Sequence, residues 1–121
     1  MKEVPELWEL TGLFEIGPTY VYGKEKEIPW FYSTVNFRLK RGSETLDIII
    51  SPAYGIIAFS VFTGDREIMQ VNLENVEGMK IEKLHNKETL HIIFNDNDMI
   101  KEFFIETKPQ IFVYCNKPQY L

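Results

Sequence analysis

Val35-Asn36-Phe37-Arg38-Leu39-Lys40-Arg41-Gly42-Ser43-Glu44-Thr45-Leu46-Asp47-Ile48-Ile49-Ile50 is the stretch from which the fold can be read. With the residues just before it, Phe31, Val35, Phe37 and Leu39 fall on one side of an extended chain, and Tyr32, Thr34, Asn36, Arg38 and Lys40 fall on the other. Ser33 is the only polar residue on the apolar side. Successive side chains of a strand point to opposite faces, so this alternation describes a half-buried strand. Arg41-Gly42-Ser43 then supplies turn chemistry, and Leu46, Ile48 and Ile50 resume the apolar face, which predicts a β-hairpin.

The same rhythm extends outward to Cys115. Ser51-Pro52 interrupts the ladder, because proline has no N–H to donate, and predicts a bend. Ile56 to Phe62 is apolar on both sides, with Ile57, Phe59 and Val61 on one and Ile56, Ala58 and Phe62 on the other. It reads as a strand covered on both faces at the centre of the fold. After the turn Thr63-Gly64-Asp65-Arg66, Met69, Val71 and Leu73 point inward and Gln70, Asn72 and Glu74 outward. Met79 and Ile81 continue that pattern beyond Gly78, which marks a bulge.

Three further strands follow. Leu90, Ile92 and Phe94 alternate with Thr89, His91 and Ile93; Met99, Phe103 and Ile105 with Ile100, Glu102, Phe104 and Glu106; Ile111, Val113 and Cys115 with Phe112 and Tyr114. The links His85-Asn86-Lys87-Glu88, Asn95-Asp96-Asn97-Asp98 and Lys108-Pro109-Gln110 are too short for crossover helices, so sequential strands pair antiparallel. The chain is therefore expected to be mainly β, an antiparallel meander forming a sandwich or a partly closed barrel, since alternation assigns faces and leaves closure open. Val4 to Gly12, with an early proline, early acidic residues and a glycine stop, reads as one short N-terminal helix. Leu13 to Gly23 reads equally as a first strand interrupted by Gly17-Pro18.

Residues 1–121 are expected to form a single domain: 45% of them are hydrophobic and 14% aromatic, enough for a sizeable core, with no linker-like tract between segments. The start Met-Lys-Glu-Val-Pro-Glu lacks the apolar run of a signal peptide, and no stretch is long enough to span a bilayer, so a cytoplasmic protein without membrane contact is expected. Cys115, the one cysteine, fits a reducing compartment. Lysine, glutamate, isoleucine and asparagine usage points to a bacterial origin. A formal net charge of −5 with dispersed cations disfavours nucleic-acid binding. Arg38, Lys40 and Arg41, the densest basic group, read as a solvated hairpin tip.

Candidate chemistry is sparse. His85 falls in a turn and His91 in a strand, without zinc-ligand spacing or a cysteine pair, so no metal or cofactor is expected. Cys115 reads as a small buried hydrophobe rather than a nucleophile. Asn95-Asp96-Asn97-Asp98 lines up oxygen donors but lacks the glycine and glutamate of a helix-loop-helix calcium site, and such residues dominate tight turns. Nucleotide-binding glycine loops and nucleophile elbows are absent. The unusual feature is aromatic density: Tyr20, Tyr22, Trp30, Phe31, Tyr32 and Tyr54 lie close to prolines and glycines. Rings with one polar tip are favoured where a surface meets a partner, although they also close the ends of sandwiches. Tyr20, Tyr22, Trp30, Tyr32 and Tyr54 are the candidate binding residues.

The run Met69-Gln70-Val71-Asn72-Leu73-Glu74-Asn75-Val76-Glu77-Gly78-Met79-Lys80-Ile81, followed by Leu90-His91-Ile92-Ile93-Phe94, resembles the strand pattern of small sheet-rich immunity proteins from bacterial polymorphic toxin systems. The resemblance covers under half the chain and carries over no functional residue. It implies a cytoplasmic protein that blocks a cognate toxin, and an acidic surface would suit a basic nuclease by electrostatic steering. Three functional classes follow: a non-enzymatic binding protein with a protein partner, such as an immunity factor; a small-ligand or carbohydrate-binding module stacking on Tyr20, Tyr22, Trp30 and Tyr32; and an enzyme whose carboxylates, such as Asp47, Glu67 or Asp65, meet only in three dimensions. Exposed strand edges also allow a homodimer.

Overall fold

The structure is a computed structural model that describes residues 1–23, 28–95 and 99–116. After helix α1 (Leu7–Phe14) come strands β1 (Thr19–Tyr20), β2 (Val35–Arg41), β3 (Glu44–Ser51), β4 (Ile56–Thr63) and β5 (Arg66–Leu73), then β6 (Val76–Leu84), β7 (Lys87–Phe94), β8 (Glu102–Lys108) and β9 (Phe112–Cys115). Short 3-10 turns occupy Trp30–Tyr32 and Pro52–Tyr54. The first five strands form one antiparallel sheet in sequence order and the last four form another. The sheets face each other without closing into a barrel. The fold is thus a mainly β sandwich with one short helix.

Two-residue turns explain the meander. Arg41 pairs with Glu44, Thr63 with Arg66 and Leu84 with Lys87, and Gly42, Gly64 and His85 take the positive φ that such turns require. Sequential pairing fails once, between β5 and β6. There Asn75 adopts a φ of 58°, and the chain leaves the first sheet to begin the second. The Met69 to Ile81 run is therefore two strands in different layers rather than one continuing pattern.

Both inner faces supply the core, including Phe37, Ile48, Ile57 and Phe59 from the first sheet and Met79, Leu90, Ile92 and Phe103 from the second. The Phe59 and Phe103 rings meet edge to face at 5.7 Å. Helix α1 packs Leu10, Leu13 and Phe14 into the same core, with Phe14 stacked on Phe37 at 4.8 Å. The Glu6 N–H donates to Glu9 Oε1, supporting the first turn. Gly12 does not stop this helix. It runs on to Phe14 because burial of that ring outweighs the ~1 kcal/mol helix penalty of a glycine.

Gly78 is a bulge, as the sequence predicts, and the structure shows why a glycine stands there. The Met1–Glu3 segment runs parallel to β6, with the Met79 N–H donating to the Glu3 carbonyl at 2.9 Å. A Cβ on Gly78 would lie 3.0 Å from that same carbonyl oxygen.

Several expectations are overturned. Phe31 and Tyr32 are not strand residues, because the turn initiated at Pro29 precedes β2. Strand β4 is buried on one face only: Ile56 and its neighbour Ile49 are each 37% exposed, since no described element covers the outer side of this sheet. Met69 lies open on the edge strand β5, where only Leu73 is buried. Within Leu13 to Gly23, Leu13 and Phe14 belong to α1 and the one strand is the two-residue β1. Cys115 is exposed at the end of the short edge strand β9. Asp96 to Asp98 lie outside the described residues.

Arg41 is not part of a solvated tip. Its Nε donates to the Thr107 carbonyl at 2.9 Å and its Nη2 contacts Glu15 at 2.5 Å, tying β2 to the opposite sheet and to the residue that ends α1. Lys108 completes the network, 3.3 Å from Glu15 and 3.0 Å from Glu88. Hydrogen bonds from Arg41 and Lys108 hold the Glu15 carboxyl below its ordinary range. Burial disfavours the Lys108 ammonium, but hydrogen bonds to Glu88 and Glu15 outweigh it and raise its pKa.

A lowered carboxyl stabilises the fold above the unfolded carboxylate pKa and loses that contribution as pH falls through the lowered folded value; the raised lysine contributes below its ordinary range and is lost as pH rises beyond it. The network should therefore hold across neutral pH and weaken at both extremes. Urea denaturation should show Glu15→Gln losing less stability than the native chain between pH 7 and pH 3. Arg41→Ala should cost about 1–3 kcal/mol at pH 7, since it strips the partner from the carbonyl of the fully buried Thr107.

Candidate functional site

The five aromatic candidates separate into two groups. Tyr20 and Trp30 are half-buried and pack against the core cluster, so they close this end of the sandwich. Tyr22, Tyr32 and Tyr54 are 86%, 67% and 79% exposed and surround one cleft of about 220 Å³ with Ile28 and Thr34. Tyr54 also borders a second cleft of about 440 Å³, which Asn75, Glu77 and Asn95 line as well. One tyrosine thus forms the ridge between two concave surfaces.

Local sequence explains why these rings project. Pro29 and Pro52 each fix φ at the start of a tight turn, closed by Ser33 N–H to the Trp30 carbonyl at 2.8 Å and Gly55 N–H to the Pro52 carbonyl at 3.1 Å. The turns are joined at their base by the Thr34 and Ser51 hydroxyls, 2.8 Å apart. Gly55 has a φ of 64°, and its carbonyl accepts from the Val76 N–H at 2.9 Å. An added Cβ there would stand 3.1 Å from the Val76 carbonyl oxygen. Tyr54 is therefore mounted where the first sheet touches the start of the second.

The proposed catalytic carboxylates do not form an acid–base pair. Asp47 accepts from Asn36 Nδ2 at 2.5 Å and pairs with Arg38 at 3.2 Å, whereas Glu67 accepts from the Ser60 hydroxyl at 2.9 Å. Asp65 is exposed in the β4–β5 turn. The Arg38 guanidinium also lies over the Phe62 ring, 5.8 Å from its centroid.

A second cluster was not recognised from the sequence. On the outer face of the second sheet, His91 is buried, with Nδ1 2.6 Å from Glu82 and Nε2 2.6 Å from Glu102. Its ring stacks on Phe104 at 4.4 Å, and Phe104 stacks on Tyr114 at 4.8 Å. Only a doubly protonated ring donates to both carboxylates at once. Because they sit at opposite ring nitrogens, they do not converge on one point, and no described group of three or more His, Cys, Asp or Glu is arranged to hold a metal ion. The alternation places His91, Phe104 and Tyr114 on one face; their stacking depends on the register His91–Phe104 and Phe104–Tyr114. No described helix is long and apolar enough to cross a membrane.

No known family model and no curated protein matches this sequence. A solved structure does match in fold: a chain of the contact-dependent growth inhibition toxin–immunity protein complex from Klebsiella pneumoniae 342, with a TM-score of 0.79 and 18% identity, covering 95% of this chain and 96% of that one. The two chains share a fold from end to end. That agrees with the resemblance to immunity proteins carried by β5 to β7.

Exposed tyrosines and packed aromatics should respond differently to truncation. Thermal denaturation should show Tyr22→Ala, Tyr32→Ala and Tyr54→Ala within about 0.5 kcal/mol of the native chain. Trp30→Ala should lose about 2–3 kcal/mol, because its ring packs on the core.

Proposed function

We propose that this chain is a non-enzymatic binding protein that blocks a cognate toxin, as an immunity factor does, acting as a single domain in the bacterial cytoplasm. The observation that carries the reading is the end-to-end likeness of fold to a chain of a toxin–immunity complex. The formal charge of −5 supports it, since an acidic protein is steered toward a basic one. Tyr54, exposed between two clefts, suits a partner that straddles the end of the sandwich, because binding energy concentrates on aromatic anchors flanked by concave surface.

A carbohydrate-stacking module is the second reading, favoured by three tyrosines around one cleft. Co-expression with a toxin found encoded beside this gene should restore growth, and the two proteins should co-purify. Tyr54→Ala should weaken that complex by about tenfold or more without lowering the melting temperature. Absence of both protection and co-purification, together with a rise in melting temperature on adding a sugar from a panel, would transfer the assignment to the carbohydrate reading.

A further inference from the structure

Of the four edges that the two sheets present, three are blunted. Strand β1 is two residues long and β9 four. The free side of β6 is occupied by the first residues of the chain: the Lys2 N–H donates to the Glu77 carbonyl at 2.6 Å, and the Met79 N–H to the Glu3 carbonyl. Short strands and covering segments are the usual protection against edge-to-edge pairing. Strand β5 has neither: it is eight residues long, and among the described residues no strand but β4 pairs with it. It contains no lysine, proline or glycine, and its two charges, Arg66 and Glu67, stand together at its start.

A shift of register leaves Ile68 unpaired against β4 and divides those charges from the rest of the strand. Beyond it, Met69, Val71 and Leu73 stand opposite the buried Val61, Phe59 and Ile57, and Gln70 and Asn72 opposite Ser60 and Ala58. Met69 therefore belongs to the apolar inner side of the sheet, yet it is 40% exposed, and Ile68 beside it is 50% exposed. Met69-Gln70-Val71-Asn72-Leu73 carries no charge and reads apolar, polar, apolar, polar, apolar in both directions. A two-fold contact between strands requires such a segment, since each residue must suit its counterpart on an identical chain running antiparallel. Centred on Val71, the pairing sets Met69 opposite Leu73 and Gln70 opposite Asn72, apolar on apolar and amide on amide. No like charges stand directly opposite each other, because Glu74 falls opposite Ile68.

We propose that β5 pairs with β5 of a second copy of this chain, antiparallel about a two-fold axis at Val71, so that the two first sheets become one continuous sheet. The pairing satisfies the open backbone groups of the edge and covers Met69. It goes beyond the toxin-blocking reading and does not depend on it. A ladder confined to Met69–Leu73 is small beside the ~1,200–2,000 Å² of stable complexes, so the dimer dissociates on dilution.

Sedimentation equilibrium of the full chain should show a dimer fraction that rises with concentration, and hydrogen exchange of the β5 amides should slow in step with it. Met69→Lys and Gln70→Lys each enter the interface twice and should weaken it about fivefold or more. Both side chains are exposed, so circular dichroism should show the two variants folded. In a Cys115→Ser background, which removes the exposed native thiol, Val71→Cys should cross-link to a dimer under mild oxidation. Glu67→Cys, which the same register places far from its copy, should not. A chain that stays monomeric up to its solubility limit, a dimer that both lysine variants leave intact, or cross-linking at Glu67→Cys as efficient as at Val71→Cys overturns the proposal. Protection of the β5 amides that is independent of concentration, or that appears only when another protein is added, overturns it too, since either assigns the edge to a different occupant.

Discussion

Everything else in this molecule depends on the burial of two single-layered sheets against each other. Each sheet has one continuous apolar face, and neither face leaves water unless the other covers it. Fully burying one Leu, Ile or Phe contributes about 1.5–3 kcal/mol, whereas an exposed ion pair contributes about 0–1 kcal/mol. The packing of Phe59 on Phe103, with Phe14 on Phe37 at the helix, therefore outweighs any polar contact in holding the layers together. The Glu15–Arg41–Lys108–Glu88 network acts on top of that packing. It joins the helix end and both sheets at one end of the sandwich.

A sandwich of this kind spends its apolar faces inward and leaves its outer faces and ends for recognition. The two outer faces are used differently. On the first sheet, Ile49 and Ile56 stay partly open and Phe62 is shaded by Arg38. On the second, aromatic stacking across strands buries His91 and Phe104 without any covering layer among the described residues. The end with the Pro29 and Pro52 turns carries three exposed tyrosines, where two short turns lift rings away from the core.

Much of the scaffold was legible in the residues. The hairpin around Gly42-Ser43, the bend at Pro52, the bulge at Gly78 and the inward sets of β2, β3 and β7 all follow from period two and from turn chemistry. Misreadings share one cause. Ile56 to Phe62 is apolar on both sides, but apolarity records what a side chain tolerates, and only a neighbouring layer decides whether that side is covered. Arg41 looked like a solvated charge because its partners, Glu15 and Thr107, are distant in sequence. Gly12 looked like a helix stop because the burial of Phe14 lies outside any local window.

Exposure of the candidate rings was not legible in the sequence, for a similar reason. Clustering of prolines, glycines and aromatics drew attention to the loop end, but it did not separate Tyr22, Tyr32 and Tyr54, which face outward, from Tyr20 and Trp30, which pack inward. Alternation by itself determined that this chain builds antiparallel sheets and which residues share a face, because the side-chain period of a strand is a local property of the backbone. Only the tertiary structure decided that the chain changes sheets at Asn75, that His91 lies between two glutamates, and that Arg41 reaches Glu15 and Thr107. Those are matters of cross-strand register and layer packing, set by contacts between residues far apart in the chain.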